Sequence, residues 1–351
     1  MKSLNVALLT EGGMVLSLLP PHKAIRYRII NTSSKWNAMI AVENLSRRFH
    51  GLTAVDDLTF TIKPGEIVGF LGPNGAGKST TMKMLTGFLT PSSGSVSIDD
   101  LSMSTQAKKI QQRIGYLPEG APLYNDMTVF QFLHFIATVR GLKGATRRQR
   151  LKHVIDKVAL QDVLNRRIEE LSKGFRHRIG LAQALVHDPD ILILDEPTDG
   201  LDPNQKHQVR ELIRALSKEK IVIISTHILE EVTAVCNRTM IIAEGKLRFD
   251  GTPAELQQRS RYHQAVTLHF SYAADISGLA EIEGVDEMVV DRHSGDVTLF
   301  PEPGKLIMTA VVEHISHFRL PVDKFTIEDG RLEDVFREIT TQESTQGEVT
   351  E

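Results

Sequence analysis

The sequence predicts an α/β fold built on a parallel sheet, with a smaller α+β domain after it. Two observations carry the first part. "EIVGFLG" ends in a glycine loop that runs into the helical "KSTTMKMLTGFL", and "DILILDEP" and "KIVIIST" are nearly continuous apolar runs, as expected of parallel strands covered on both faces. The third is the change past Gln258 to the short alternating stretches "AVTLHF", "VDEMVVDR", "DVTLF" and "KFTIEDG" around an apolar helix near "KLIMTAVVEHI".

In chain order, residues 1–38 are expected to form a weakly ordered extension, with Met39 as an alternative natural start. "AMIAVENLSRRF" then reads as the first strand of the domain. After the glycine loop and its helix, "PSSGSVSI" supplies a turn and a strand, and "RIGYLPE" a strand stopped by proline. In "MTVFQFLHFIATVRGL", Val129, Phe132, Leu133, Ile136 and Val139 recur at helical spacing behind Thr128 as cap, and the stripe is read as core. The expected domains are 1–38, 39–259 and 260–351, with "GRLEDVFREIT" as a helix closing the last and the polar end "TQESTQGEVTE" disordered.

Composition limits the partners. The 351 residues carry 41 basic and 44 acidic side chains, a net charge of -3, which gives no general electrostatic reason to bind nucleic acid. The one cysteine, Cys236, excludes an intramolecular disulfide, fits a reducing cytoplasm, and sits in an apolar run as a small buried hydrophobe. No run reaches the roughly 20 apolar residues that a membrane-spanning helix needs.

"GPNGAGKST", Gly72 to Thr80, matches G-x-x-x-x-G-K-[ST] between a strand and a helix. Gly72, Gly75 and Gly77 let the backbone curl, with Pro73, Asn74 and Ala76 between them, so that N–H groups face phosphate oxygens. Lys78 adds a cation, and Ser79, followed by Thr80, a hydroxyl for Mg²⁺. The motif reads as a nucleoside triphosphate site. Asp195, ending "ILILD", is placed to hold the metal, and Glu196 beside it to act as general base on the attacking water. His227 follows "KIVIIST" at a strand's C-terminal end, where it is positioned to meet the γ-phosphate. "LSKGFRHRIG" is a second stretch suited to phosphate: Ser172 can cap a helix and Gly174 leaves room.

In this order, "GPNGAGKST", "LSKGFRHRIGLAQAL", "LILDEPTDGLDP" and "STHILEEV" resemble an ABC-transporter nucleotide-binding domain over about Met39 to Gln258. The resemblance implies a P-loop NTPase of ABC type, with a RecA-like core, an antiparallel β subdomain and a helical signature subdomain. It implies ATP and Mg²⁺ as ligands and ATP hydrolysis coupled to transport. Phe49 resembles the aromatic residue that stacks on adenine. "LSKGF" resembles the signature motif, whose Ser172 and Gly174 would meet ATP on the P-loop of a second copy, and Asp202 would close the loop "TDGLD" between the copies. Two departures bear on mechanism. Lys173 and Phe175 replace the usual third and fifth signature residues, and Glu119 stands where a glutamine commonly ligates Mg²⁺. Such a glutamate, together with the C-terminal extension, resembles the drug-exporter and gliding-motility-type subgroup. The expectation is a homodimer of ATPase subunits, peripheral on the cytoplasmic face of the cell membrane, driving separate integral membrane subunits. The alternatives are a soluble ABC ATPase acting on the ribosome or nucleic acid, and a GTP switch, which lacks Asn-Lys-x-Asp here.

Overall fold

The computed structural model describes residues 39–341 apart from 218, 219 and 273, so the expectations for 1–38 and for 342–351 lie outside the described residues. The central sheet has six strands in the order Lys246–Gly251, Arg238–Ala243, Ile67–Leu71, Ile221–Thr226, Ile191–Asp195, Ile114–Leu117. The last five are parallel, and Lys246–Gly251 adds one antiparallel edge.

Every residue of Ile67–Leu71, Ile191–Asp195 and Ile221–Thr226 is buried. Their side chains alternate between two cores, as a strand's period of two requires. Val68, Phe70, Ile191, Ile193, Ile221 and Ile223 face a core shared with the phosphate-loop helix Lys78–Leu85 and an antiparallel sheet that includes Ile40–Phe49 and Leu52–Ile62. Leu71, Leu192, Leu194, Val222 and Ile224 face the other, shared with the helices Val129–Val139, Gly144–Lys157 and Lys173–Leu185. A continuous apolar run thus supplies two layers at once.

Thr128 caps Val129–Val139 in a reciprocal capping box with Gln131. Val129, Phe132 and Leu133 are buried as expected, whereas Val139 is 68% exposed. The chain turns directly after it, and Leu142, whose N–H bonds to the Ala137 carbonyl at 3.0 Å, takes the core place instead.

A third core lies in a four-stranded antiparallel sheet ordered Val285–Val290, Val297–Pro301, Val266–Phe270, Val322–Ile327. Val266, Leu268, Val297 and Leu299 pack there with Val311 of the helix Met308–Phe318. All four strands expected from sequence are present. The final helix, Leu332–Thr341, goes elsewhere: Val335 is 2% exposed within the same core as Phe249 and Leu256, with Leu332, Phe336 and Ile339 packed against it. The sequence reading made it the closing helix of the small domain; the structure seats its apolar side on the nucleotide-binding half. The chain re-enters where it left, for the Arg331 N–H donates to Ser260 Oγ at 2.9 Å and Gly330, at φ +109°, leaves no room for a Cβ beside the Gln257 carbonyl.

Candidate functional site: the nucleotide cleft

The phosphate loop lies between strand Ile67–Leu71 and helix Lys78–Leu85. Gly77 has φ +102°, and a Cβ there would meet the Ala54 carbonyl oxygen at 2.4 Å, so glycine is required both for the turn and for the passing strand. Lys78 Nζ donates to the carbonyls of Gly72 at 2.6 Å and Pro73 at 3.1 Å, which holds the ammonium in the curl of the loop. Burial lowers the Lys78 pKa, against the raising effects of Glu196, Asp195 and Glu119. Three carboxylates therefore lie within electrostatic reach of this cation.

Ser79 Oγ donates to Asp195 Oδ1 at 3.3 Å, bringing a hydroxyl and a buried carboxylate together at the start of the helix. A pair of hard oxygens with one carboxylate suits Mg²⁺, which keeps several waters and binds substrate phosphates. Among the described residues there is no cluster of three or more His, Cys, Asp or Glu side chains able to hold a metal by themselves. Ser79 and Asp195 thus fit an ion shared with phosphate.

Glu196 follows the sheet strand with φ +50°, a left-handed conformation that costs a non-glycine residue about 1–3 kcal/mol and persists only where surroundings fix it. Its N–H donates to the Ser225 carbonyl at 2.9 Å, and its Oε1 lies 3.0 Å from His227 Nδ1. The carboxylate thus leaves the strand direction and turns to the histidine that follows the neighbouring strand Ile221–Thr226. Glu119, Asp195 and Glu196 line one cleft of about 590 Å³ together with Lys173, His177 and Asp199. Glu119, expected from sequence to approach Mg²⁺, thus shares this cleft with Asp195 and Glu196. Glu119→Gln should keep ATP hydrolysis within about tenfold of the wild-type rate, a barrier change near 1.4 kcal/mol, because the amide retains an oxygen for the metal. Steady-state ATPase assays test this.

Phe49 ends the strand Ile40–Phe49 and is 37% exposed, with the Arg47 guanidinium 4.5 Å from its ring centroid. It pairs with Leu52, and the same strand then carries Ala54 against Gly77, which puts the aromatic hairpin beside the phosphate loop.

Ser172 caps helix Lys173–Leu185 through the Phe175 N–H, as read from sequence. Gly174 is buried, and a Cβ there would meet Gln205 Oε1 at 2.5 Å. Lys173, which replaces the usual third signature residue, is paired at 3.2 Å with Asp199, and its side chain lies over Gly200. Asp202 Oδ1 accepts the Gln205 N–H at 2.9 Å, so this carboxylate caps the helix Pro203–Ser217. Asp199 and Gln205 were missed in the sequence reading. Their signal was weak, since Asp199 lies in a polar turn and Gln205 in the first turn of the helix after it, and the partner of both is a helix about thirty residues earlier.

Cys236 is buried, as expected, and burial pushes its thiol up to about 12, which leaves it inert.

Comparison with known proteins agrees with this geometry. The ABC transporter family matches residues 55–199. The chain is 33% identical over 305 residues to the uncharacterized ABC transporter ATP-binding protein YxlF of Bacillus subtilis, covering 86% of this chain and 99% of that one. It is 38% identical over 220 residues to the Nod factor export ATP-binding protein I of Burkholderia pseudomallei, covering 62% and 72%. Among solved structures, cbiO1 from Clostridium perfringens, described as part of the ABC transporter complex cbiONQ, superposes with a TM-score of 0.57 at 30% identity, covering 63% of this chain and 90% of that one. With the ordered motifs, the α/β core and a relative matched over nearly its whole length, the chain belongs to the ABC transporter family as an ATP-binding subunit that hydrolyses ATP.

Proposed function

We propose that this ATPase powers an exporter as one half of an ATP-closed homodimer, docked on the cytoplasmic face of the cell membrane against separate integral membrane subunits. The observation that carries the reading is the Glu196–His227 pair at 3.0 Å beside the Ser79–Asp195 pair. In this arrangement Gly72 to Thr80 bind the phosphates, Phe49 supports the base, and Ser79 and Asp195 hold Mg²⁺ with Glu119 near it. Bound Mg²⁺ supplies charge neutralisation of the phosphates. Glu196 takes a proton from the attacking water, and His227 holds the carboxylate in position toward the γ-phosphate.

The dimer follows from Ser172 and Gly174. Their helix N-terminus is a second phosphate seat, while the phosphates on Gly72 to Thr80 already have their own, so a second copy would complete each site in trans. Exporter-type function is supported by the likeness to the Nod factor export protein. Among the described residues no helix is long and apolar enough to cross a membrane.

The docking face is read from Tyr124, Phe130 and Phe135, which are 53%, 46% and 40% exposed on the segment that follows the Glu119 loop. Tyr124 stacks edge-on against Phe135, with ring centroids 5.7 Å apart. An exposed aromatic cluster beside a polar cleft suits a partner helix. The double variant Phe130→Ala/Phe135→Ala should keep basal ATPase within about twofold, as surface changes away from the chemistry do, yet fail to sediment with inverted membrane vesicles that carry the membrane subunits. Wild-type chain that stays in the supernatant of those vesicles would overturn the membrane-partner reading.

A further inference from the structure

We propose that Glu231 is a positioning residue for hydrolysis, tying the loop of Glu196 to the loop of His227 through one hydrogen bond to each. The proposal rests on the reading of Glu196 as the base.

Glu231 lies in the short helix Leu229–Val235 and is 4% exposed. Its Oε1 accepts from the Thr198 hydroxyl, and its Oε2 accepts from the Thr226 hydroxyl at 2.9 Å. Thr198 stands two residues after Glu196, and Thr226 immediately before His227. Both threonines are buried, at 2% and 0% exposure, so neither hydroxyl has water as an alternative partner. Lys206 Nζ lies 4.0 Å from Oε1 and supplies the nearest positive charge. Thr226 Oγ1 also accepts the Ile228 N–H at 3.1 Å, which joins the helix start to the same network.

A carboxylate is the side chain suited to this place. It presents two acceptors in one rigid plane, and each of the two loops offers one hydroxyl donor. The backbones of the loops are already joined, through the Glu196 N–H on the Ser225 carbonyl at 2.9 Å. A single backbone bond leaves the two loop ends free to pivot; a second tie through Glu231 removes that freedom. Glu196 needs such support because its backbone sits at φ +50°. The 3.0 Å approach of Glu196 to His227 is then set by the buried network, and Glu231 acts from behind the cleft that Glu119, Asp195 and Glu196 line. Misplacing a reacting group by even an ångström costs large factors in rate, which makes a distant tie consequential.

The test uses the full chain. Glu231→Gln keeps shape and burial but replaces one acceptor by a donor, so one threonine must accept where it donated and both lose their charged partner. We expect kcat to fall about tenfold or more while KM and ATP affinity stay within about twofold. Thr226→Val should lower kcat in the same way, and Thr226→Ser, which restores the hydroxyl, should recover it. Glu196→Gln/Glu231→Gln should be no slower than Glu196→Gln alone, because Glu231 acts through the base. A wild-type kcat in Glu231→Gln overturns the proposal, as does equal activity of Thr226→Val and Thr226→Ser, or a double variant slowed by the full product of the two factors. If Glu231→Gln does not accumulate as folded protein, the two Thr226 variants decide. A Glu196→Gln chain with wild-type turnover would instead remove the base reading, whatever Glu231→Gln does.

Discussion

Glu196→Gln is expected to bind ATP and to hydrolyse it at least ~10²-fold more slowly, a barrier increase of about 2.7 kcal/mol. The substitution preserves size and leaves an amide oxygen or nitrogen facing His227 Nδ1, now 3.0 Å from the carboxylate. What is lost is basicity at the one position where the strand end, the left-handed backbone and the neighbouring histidine converge. Lys78→Ala should behave oppositely. It removes the ammonium held over Gly72 and Pro73, so ATP affinity should drop before any effect on chemistry is seen. Equilibrium nucleotide binding measured beside single-turnover hydrolysis separates the two variants, and normal turnover in Glu196→Gln would transfer the base role to another group.

ATP should drive Glu196→Gln subunits from monomer to dimer, and a further Ser172→Arg should abolish that shift. With hydrolysis stopped, the closed state accumulates, so sedimentation with and without ATP reads the equilibrium directly. Arginine at 172 places bulk and a long charged side chain at the helix N-terminus where a second subunit's nucleotide would sit. It also removes the cap that Ser172 makes to the Phe175 N–H, at a cost of about 0.5–2 kcal/mol. A thermal melt therefore accompanies the experiment. Each subunit should still bind ATP alone, since Gly72 to Thr80 are unaltered. A Ser172→Arg double variant that still dimerises with ATP would place this helix away from the nucleotide.

The parts that were legible in the sequence are those whose chemistry is local. Gly72 to Thr80 announce a phosphate loop because glycine, lysine and serine must fall at fixed spacing. Ile191–Asp195 and Ile221–Thr226 announce buried strands because both faces are covered. Thr128 and Ser172 read as caps for the same reason, and both cap in the structure. What was not legible depends on distant partners. Leu332, Val335, Phe336 and Ile339 mark an apolar helix face, but no local pattern says that the face belongs on Phe249 and Leu256. Lys173 stood out in the sequence only as a departure from the signature, and only the fold brings Asp199 to it. Glu231 was given no role within "STHILEEV", and its burial between two threonines appears only when strands thirty residues apart in sequence lie side by side.

The place of helix Leu332–Thr341 bears on how the protein is made. Synthesis proceeds from the N-terminus, and domains that are contiguous in sequence can close on the ribosome as they emerge. Here one core of the nucleotide-binding half takes Val335 from a segment far along the chain, while its other walls were translated much earlier. Until then Phe249 and Leu256 lack their cover, while the small sheet of Val266 to Ile327 has all its strands. In order of synthesis, all four strands of the small sheet precede residues 332–341, so the cover of Phe249 and Leu256 is made only after that sheet's residues are in place.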